Sequence, residues 1–122
     1  MTSSSAAIRI EKTGGPEEMA LVELAVGEPG PGEIRLLQHA CGLNYIDVYQ
    51  RTGIYALPLP LTLGLEGAGV VEALGEGVSH LRVGDRVAYC GGPPGGYAKA
   101  RVMPAKTVVK LPEAISFDTG AS

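Results

Sequence analysis

The chain has 122 residues, enough for one domain with one modest hydrophobic core. Its 18 Gly and 9 Pro predict many short elements joined by tight turns, which is typical of a β-rich barrel or sandwich and argues against a helical bundle. A net charge of −3 with scattered basic residues argues against a nucleic-acid partner. Cys41 and Cys90 match no disulfide or zinc spacing, and no apolar stretch is long enough to span a membrane, so we expect a cytoplasmic protein.

Alternating apolar residues predict three strands in the first third of the chain, over residues 6–12, 19–26 and 33–42. The period then changes to that of a short helix near 44–52, with Asn44 as its N-cap and Gly53 just after its end. Asp47 and Arg51 are four residues apart on this helix, and we expect them to form an exposed or half-exposed pair. Cys41 is expected to be a small buried hydrophobic residue.

The second half of the chain predicts further strands over residues 67–75, 97–104 and 106–112. Residues 81–90 predict a turn at Gly84 and Asp85 followed by another strand. Ser116 is a candidate cap of a helix that opens just before the chain stops. We therefore expect a mainly β domain that is part of a longer protein.

Four motifs occur in order along the chain, CGLNYIDVYQRTGIY, LGLEGAGVVEALGEGV, VGDRVAYCGG and GGYAKARVMP. Together they resemble the amino-terminal, GroES-like catalytic domain of medium-chain dehydrogenases/reductases, in particular the zeta-crystallin-like branch of NADPH:quinone oxidoreductases. This resemblance implies a partly open GroES-like barrel with a short helix near 44–52. It also implies that residues 1–122 form the catalytic domain and stop before a Rossmann domain that binds most of the cofactor.

The resemblance also bears on metal binding. In zinc-dependent relatives, a Cys occupies the position of Asn44 and a His that of Leu65, and neither residue here is a good zinc ligand. The four cysteines of the structural zinc lobe are missing as well, since only Cys90 lies near that position, so the resemblance implies a zinc-free enzyme. For Glu66 we expect a partly buried carboxylate bonded to backbone amides of the glycine-rich turn, with a catalytic role as the alternative.

Three polar side chains are candidate site residues. Asn44 serves as a helix cap, and the resemblance implies a second role in contacting the nicotinamide of NADPH. Tyrosines at helical spacing often serve packing, but the resemblance places Tyr49 and Tyr55 in the nicotinamide and quinone pocket. A phenol there can donate a hydrogen bond to a carbonyl oxygen as charge develops, so both are catalytic candidates, Tyr49 also cofactor-binding and Tyr55 substrate-binding.

The implied reaction is hydride transfer from NADPH to a quinone in a full-length homodimer. Gly67 and Gly69 do not form a dinucleotide fingerprint, because a third glycine and a following helix are missing, and we expect them to serve close packing within a strand. The chain alone should therefore bind NADPH poorly. The alternatives are an enone or 2-alkenal double-bond reductase with the same layout, and a non-catalytic, crystallin-like binding module.

Overall fold

The computed structural model describes residues 3–122, so residues 1 and 2 of the expected domain lie outside the described range. Its elements follow in the order β1 Ser3–Ile10, β2 Ala20–Val26, β3 Glu33–Cys41, α1 Tyr45–Thr52, β4 Leu61–Thr62, β5 Glu66–Leu74, β6 Arg86–Cys90, β7 Ala100–Pro104, β8 Val109–Lys110 and α2 Phe117–Gly120. Short 3-10 turns occupy Pro16–Glu18 and Ala105–Thr107.

The strands form two antiparallel sheets that do not close into one barrel. One sheet has the order β2-β1-β4 and the other β7-β3-β5-β6-β8. An antiparallel bridge between Ala7 and Ala98 joins the sheets, supported by the bond from the Ile8 amide to the Tyr97 carbonyl at 2.8 Å. A mainly β, partly open barrel with one short helix is thereby confirmed.

Several predicted strand limits were wrong because pairing, and not local pattern, decides where a strand ends. The first strand begins within the Ser-rich lead, since Ser3 pairs with Val26, and it ends at Ile10. The strand predicted over 97–104 begins at Ala100, and most of 106–112 is a 3-10 turn and coil around the two residues of β8. Gly84, with φ of 96°, forms the predicted turn.

Gly67 and Gly69 pack closely within β5, as predicted. A Cβ at Gly69 would lie 2.1 Å from the carbonyl oxygen of Leu37, and one at Gly67 would lie 2.5 Å from Oε1 of Gln38. Any larger residue at Gly69 would therefore force β3 and β5 apart, and one at Gly67 would displace the side chain of Gln38. Close packing thus explains both glycines, and no nucleotide is needed to account for them.

The interior of the larger sheet is apolar apart from one polar network. The apolar core contains Ile34, Leu36, Val71, Leu81, Val87, Tyr89, Met103, Ala105 and Val108. Arg101, only 7% exposed, donates to the Tyr89 hydroxyl at 3.3 Å and to the Pro93 carbonyl at 2.9 Å. The Tyr89 hydroxyl in turn donates to Oε1 of Gln38. This network ties the loop 91–96 to the barrel, and no local sequence pattern predicts it, because Gln38, Tyr89 and Arg101 lie on three different strands.

Across residues 3–122, no helix combines the length and the apolar character that a membrane crossing requires.

Candidate functional site

The site is built around the amino terminus of α1. Asn44 has an extended backbone, with φ −136° and ψ 154°, and its amide donates to Oδ2 of Asp47 at 3.1 Å. Gly53 ends the helix with φ of 92°, and its amide donates to the Tyr49 carbonyl. The predicted start and end of the helix are confirmed, because both depend on cap residues that are local in sequence.

The side chain of Asn44 bonds to the first residue of β5. Its Nδ2 donates to Oε1 of Glu66 at 3.1 Å. We expected the carboxylate of Glu66 to accept hydrogen bonds from backbone amides of the glycine-rich turn. This was wrong, because the start of α1 places the side-chain amide of Asn44 against the carboxylate. Glu66 is partly buried, as expected.

Asp47 does not form the expected exposed pair with Arg51. Its side chain is only 3% exposed, and Oδ2 also accepts a hydrogen bond from the hydroxyl of Tyr97. Arg51 instead donates from Nε to the carbonyl of Gly14 at 3.2 Å. The expectation was wrong because helical spacing alone does not reveal that the chain before β7 brings a phenol over this carboxylate. Tyr97 is thus a site residue that sequence reasoning missed.

The contact between Tyr97 and Asp47 predicts a pH effect on stability. Burial, followed by the hydrogen bond and charge of Asp47, raises the pKa of Tyr97 well above its usual value of 10.0. Below about pH 10 the folded and unfolded states both keep this proton, so the stabilisation is complete there. Above that pH the unfolded chain releases the proton first, and stability should fall as pH rises.

Urea unfolding of the wild type and of Tyr97→Phe at about pH 8, 9.5 and 10.5 checks this effect, because these values lie on both sides of the usual tyrosine pKa of about 10. The variant should be less stable at pH 8 but lose less stability on going to pH 10.5. Burial also raises the pKa of Tyr89, so part of the slope should remain. Equal slopes in the two proteins would contradict the assignment.

Tyr49 and Tyr55 lie together on the surface. Their rings form an edge-to-face pair with centroids 5.5 Å apart, and Tyr45 adds a third ring 6.1 Å from Tyr49. The Tyr55 amide donates to the Tyr49 carbonyl at 3.2 Å, which holds the loop after α1 against the helix. Tyr49 is 37% and Tyr55 52% exposed, and within residues 3–122 neither hydroxyl has a hydrogen-bond partner. Both hydroxyls are therefore accessible to a ligand.

A cavity beside α1 adjoins a second, larger cavity, and the two share Met19, Leu43 and Tyr97. The smaller, of about 380 Å³, is lined by Asn44, Tyr45 and Asp47 among others, and Asn44 thus borders an open cavity. Neither of these two cavities is lined by Tyr49 or Tyr55, so the tyrosine pair lies outside the cavity that Asn44 borders.

The larger cavity, of about 610 Å³, is an apolar groove between the two sheets that includes Cys41 and His39. Cys41 was expected to be buried, and this was wrong. It is exposed because it lies at the end of β3, where the groove leaves the sheet uncovered. Partial burial still raises the pKa of its thiol, and the charge of Asp47 adds to that shift.

Glu66 has few potential metal ligands around it. In the part of the chain that the structure describes, no three side chains of His, Cys, Asp or Glu cluster closely enough to hold a metal ion. Leu65 offers only its backbone carbonyl, which accepts a hydrogen bond from the Gly91 amide at 2.7 Å.

The sequence and the fold of this chain are similar to those of known oxidoreductases. The model of the alcohol dehydrogenase GroES-like domain matches residues 30–113. A quinone oxidoreductase of Pseudomonas aeruginosa is 46% identical over 116 residues, covering 94% of this chain and 36% of that protein. A 2-haloacrylate reductase of Burkholderia sp is 42% identical, covering 89% of this chain and 34% of that protein.

Among solved structures, the quinone oxidoreductase of Escherichia coli in complex with NADPH superposes with a TM-score of 0.93 at 41% identity. The match covers 95% of this chain and 36% of that one. The chain thus spans about a third of the length of the proteins it resembles, 36% in the first of them.

Proposed function

Because the chain belongs to the alcohol dehydrogenase GroES-like domain family, we propose that it forms the catalytic domain of an NADPH-dependent quinone oxidoreductase. The observation that carries this proposal is the pair of accessible hydroxyls of Tyr49 and Tyr55 at α1. At the start of the same helix, the side-chain amide of Asn44 is held by a hydrogen bond to Glu66. The quinone oxidoreductases among the relatives support the same function, and the relative bound to NADPH supports the cofactor.

Three residues act on the ligands in this proposal. When bound, NADPH supplies the hydride, and the quinone accepts it. Asn44 orients the nicotinamide, since it lines a cavity at the start of α1 and its side-chain amide can bond to a polar ligand there. Tyr49 borders both ligands, and Tyr55 donates its hydroxyl proton in a hydrogen bond to the quinone oxygen as negative charge develops there.

The proposed reaction proceeds without zinc. Leu65 has no side-chain donor atom, and the amide of Asn44 is already bonded to Glu66. A quinone spreads the charge that it receives over a conjugated system, so orientation and a phenolic donor are sufficient to stabilise it.

We propose that a further Rossmann domain binds the adenosine and pyrophosphate of the cofactor, a proposal supported by the quinone oxidoreductase relative, of which this chain covers 36%. The chain alone should therefore bind NADPH weakly. We further propose that the full-length protein is a cytoplasmic homodimer of the zeta-crystallin-like branch.

A second function is reduction of an activated carbon–carbon double bond, and it is favoured by the similarity to a 2-haloacrylate reductase. The two functions share the hydride donor and differ in the acceptor. Substrate comparison separates them, whereas a non-catalytic, crystallin-like module would reduce neither acceptor.

NADPH oxidation by the full-length protein, with an ortho-quinone and an enone offered side by side, tests the proposal. We expect faster turnover of the quinone and no loss of rate in a chelator such as EDTA. Faster turnover of the enone would favour the double-bond reductase. A loss of rate in chelator would contradict the zinc-free mechanism, and no turnover would favour the binding module.

A further inference from the structure

We propose that Glu66 is a positioning residue that fixes which end of the Asn44 side-chain amide faces the bound nicotinamide. The inference deepens the proposed function and rests on it, since it assigns Glu66 a task in orienting the cofactor through Asn44. Glu66 itself contacts neither ligand in this proposal.

The carboxylate of Glu66 lies in a space that the chain keeps open. A Cβ at Gly42 would lie 2.0 Å from Oε1 of Glu66 and 2.4 Å from the carbonyl oxygen of Ala121. The Gly42 amide also donates to the Glu66 carbonyl at 2.9 Å, which ties the segment before α1 to the start of β5. The absence of a side chain at residue 42 therefore lets the carboxylate reach Asn44.

The chemistry of the contact selects one orientation of the amide. An ionised carboxylate has only acceptor atoms, so it pairs with the NH₂ end of Asn44 and repels the carbonyl end. Without a charged partner, an Asn amide can rotate by 180° and exchange its donor and acceptor ends. With Glu66 in place, the second N–H of Asn44 and its Oδ1 point in defined directions. The carboxamide of the nicotinamide has a donor and an acceptor of its own, so it can pair with Asn44 in one orientation only when these directions are fixed.

The contact contributes little to the stability of the fold. Asn44 is exposed and Glu66 is only partly buried, and a hydrogen bond between groups so accessible to water adds little to stability. Loss of the contact should therefore affect ligand orientation much more than folding, and this difference separates a positioning role from a structural one.

The kinetic test is a double-mutant cycle in the full-length protein with Glu66→Ala, Asn44→Ala and the double variant. We expect Glu66→Ala to lower kcat/KM for the quinone on the order of tenfold and to have almost no further effect once Asn44 is Ala. Glu66→Gln should lose less, since its amide still pairs with Asn44 but accepts either orientation. The exposed Glu23→Ala on β2 is the control and should leave both activity and Tm unchanged. Additive losses in the cycle, or full activity in Glu66→Ala, would overturn the proposal.

A spectroscopic test separates this inference from the proposed function. In the 122-residue chain labelled with ¹⁵N-asparagine, the two side-chain protons of Asn44 should have well-separated NMR shifts that converge in Glu66→Ala but not in Glu23→Ala. Unchanged Asn44 signals in Glu66→Ala would overturn the inference whatever the enzyme reduces. If the two Asn44 signals converge in Glu66→Ala but the wild-type enzyme does not reduce the quinone, the contact between Glu66 and Asn44 is supported. The proposed quinone reductase activity is then rejected.

Discussion

Replacing Asp47 by Ala is expected to lower the free energy of unfolding by about 3 kcal/mol or more, and Tm by about 10 °C. The carboxylate is 3% exposed and accepts bonds from the Asn44 amide and the Tyr97 hydroxyl. Its removal leaves both donors without their charged partner and leaves a cavity at the start of α1. Urea unfolding followed by circular dichroism measures the change.

Asp118→Ala is the matched control, because Asp118 also lies in the first turn of a helix but is exposed. It should change the free energy of unfolding by no more than about 0.5 kcal/mol. Asp47→Asn should fall between the two, since it keeps the shape and an acceptor oxygen but loses the charge. Equal losses in Asp47→Ala and Asp118→Ala would show that Asp47 is only a surface helix residue.

The second large effect is expected on turnover. Tyr55→Phe in the full-length protein should lower kcat and kcat/KM for the quinone equally, by about a hundredfold, because it removes a donor that acts in the transition state. Tyr49→Phe should lower kcat and also raise KM for NADPH, since Tyr49 borders the cofactor as well. The rings and their edge-to-face contact are retained in both variants, so their Tm values should stay close to that of the wild type.

Thr52→Val is the control for these two variants. Thr52 lies in the same helix, is exposed, and donates its hydroxyl to the Tyr49 carbonyl at 3.3 Å. Its loss should leave kcat within about a factor of two. Full activity of both Tyr→Phe variants would assign Tyr49 and Tyr55 to packing, the alternative that their helical spacing left open.

Features that depend on neighbouring residues could be predicted from the amino-acid sequence alone. The limits of α1 follow from Asn44 and Gly53, the turn before β6 follows from Gly84, and the cap of α2 follows from Ser116, whose hydroxyl accepts a bond from the Thr119 amide at 3.1 Å. The ordered motifs were sufficient for the family, since several short patterns in a fixed order rarely coincide by chance.

Contacts between groups on different elements depend on the packing of the folded chain. The partner of Glu66 is 22 residues away and that of Asp47 is 50 residues away, so no helical or strand period could reveal either contact. The exposure of Cys41 was likewise set by the gap between the two sheets, which is a property of their arrangement. Local patterns define the caps and turns of this chain, whereas the surroundings of each carboxylate and phenol depend on how the two sheets and α1 pack.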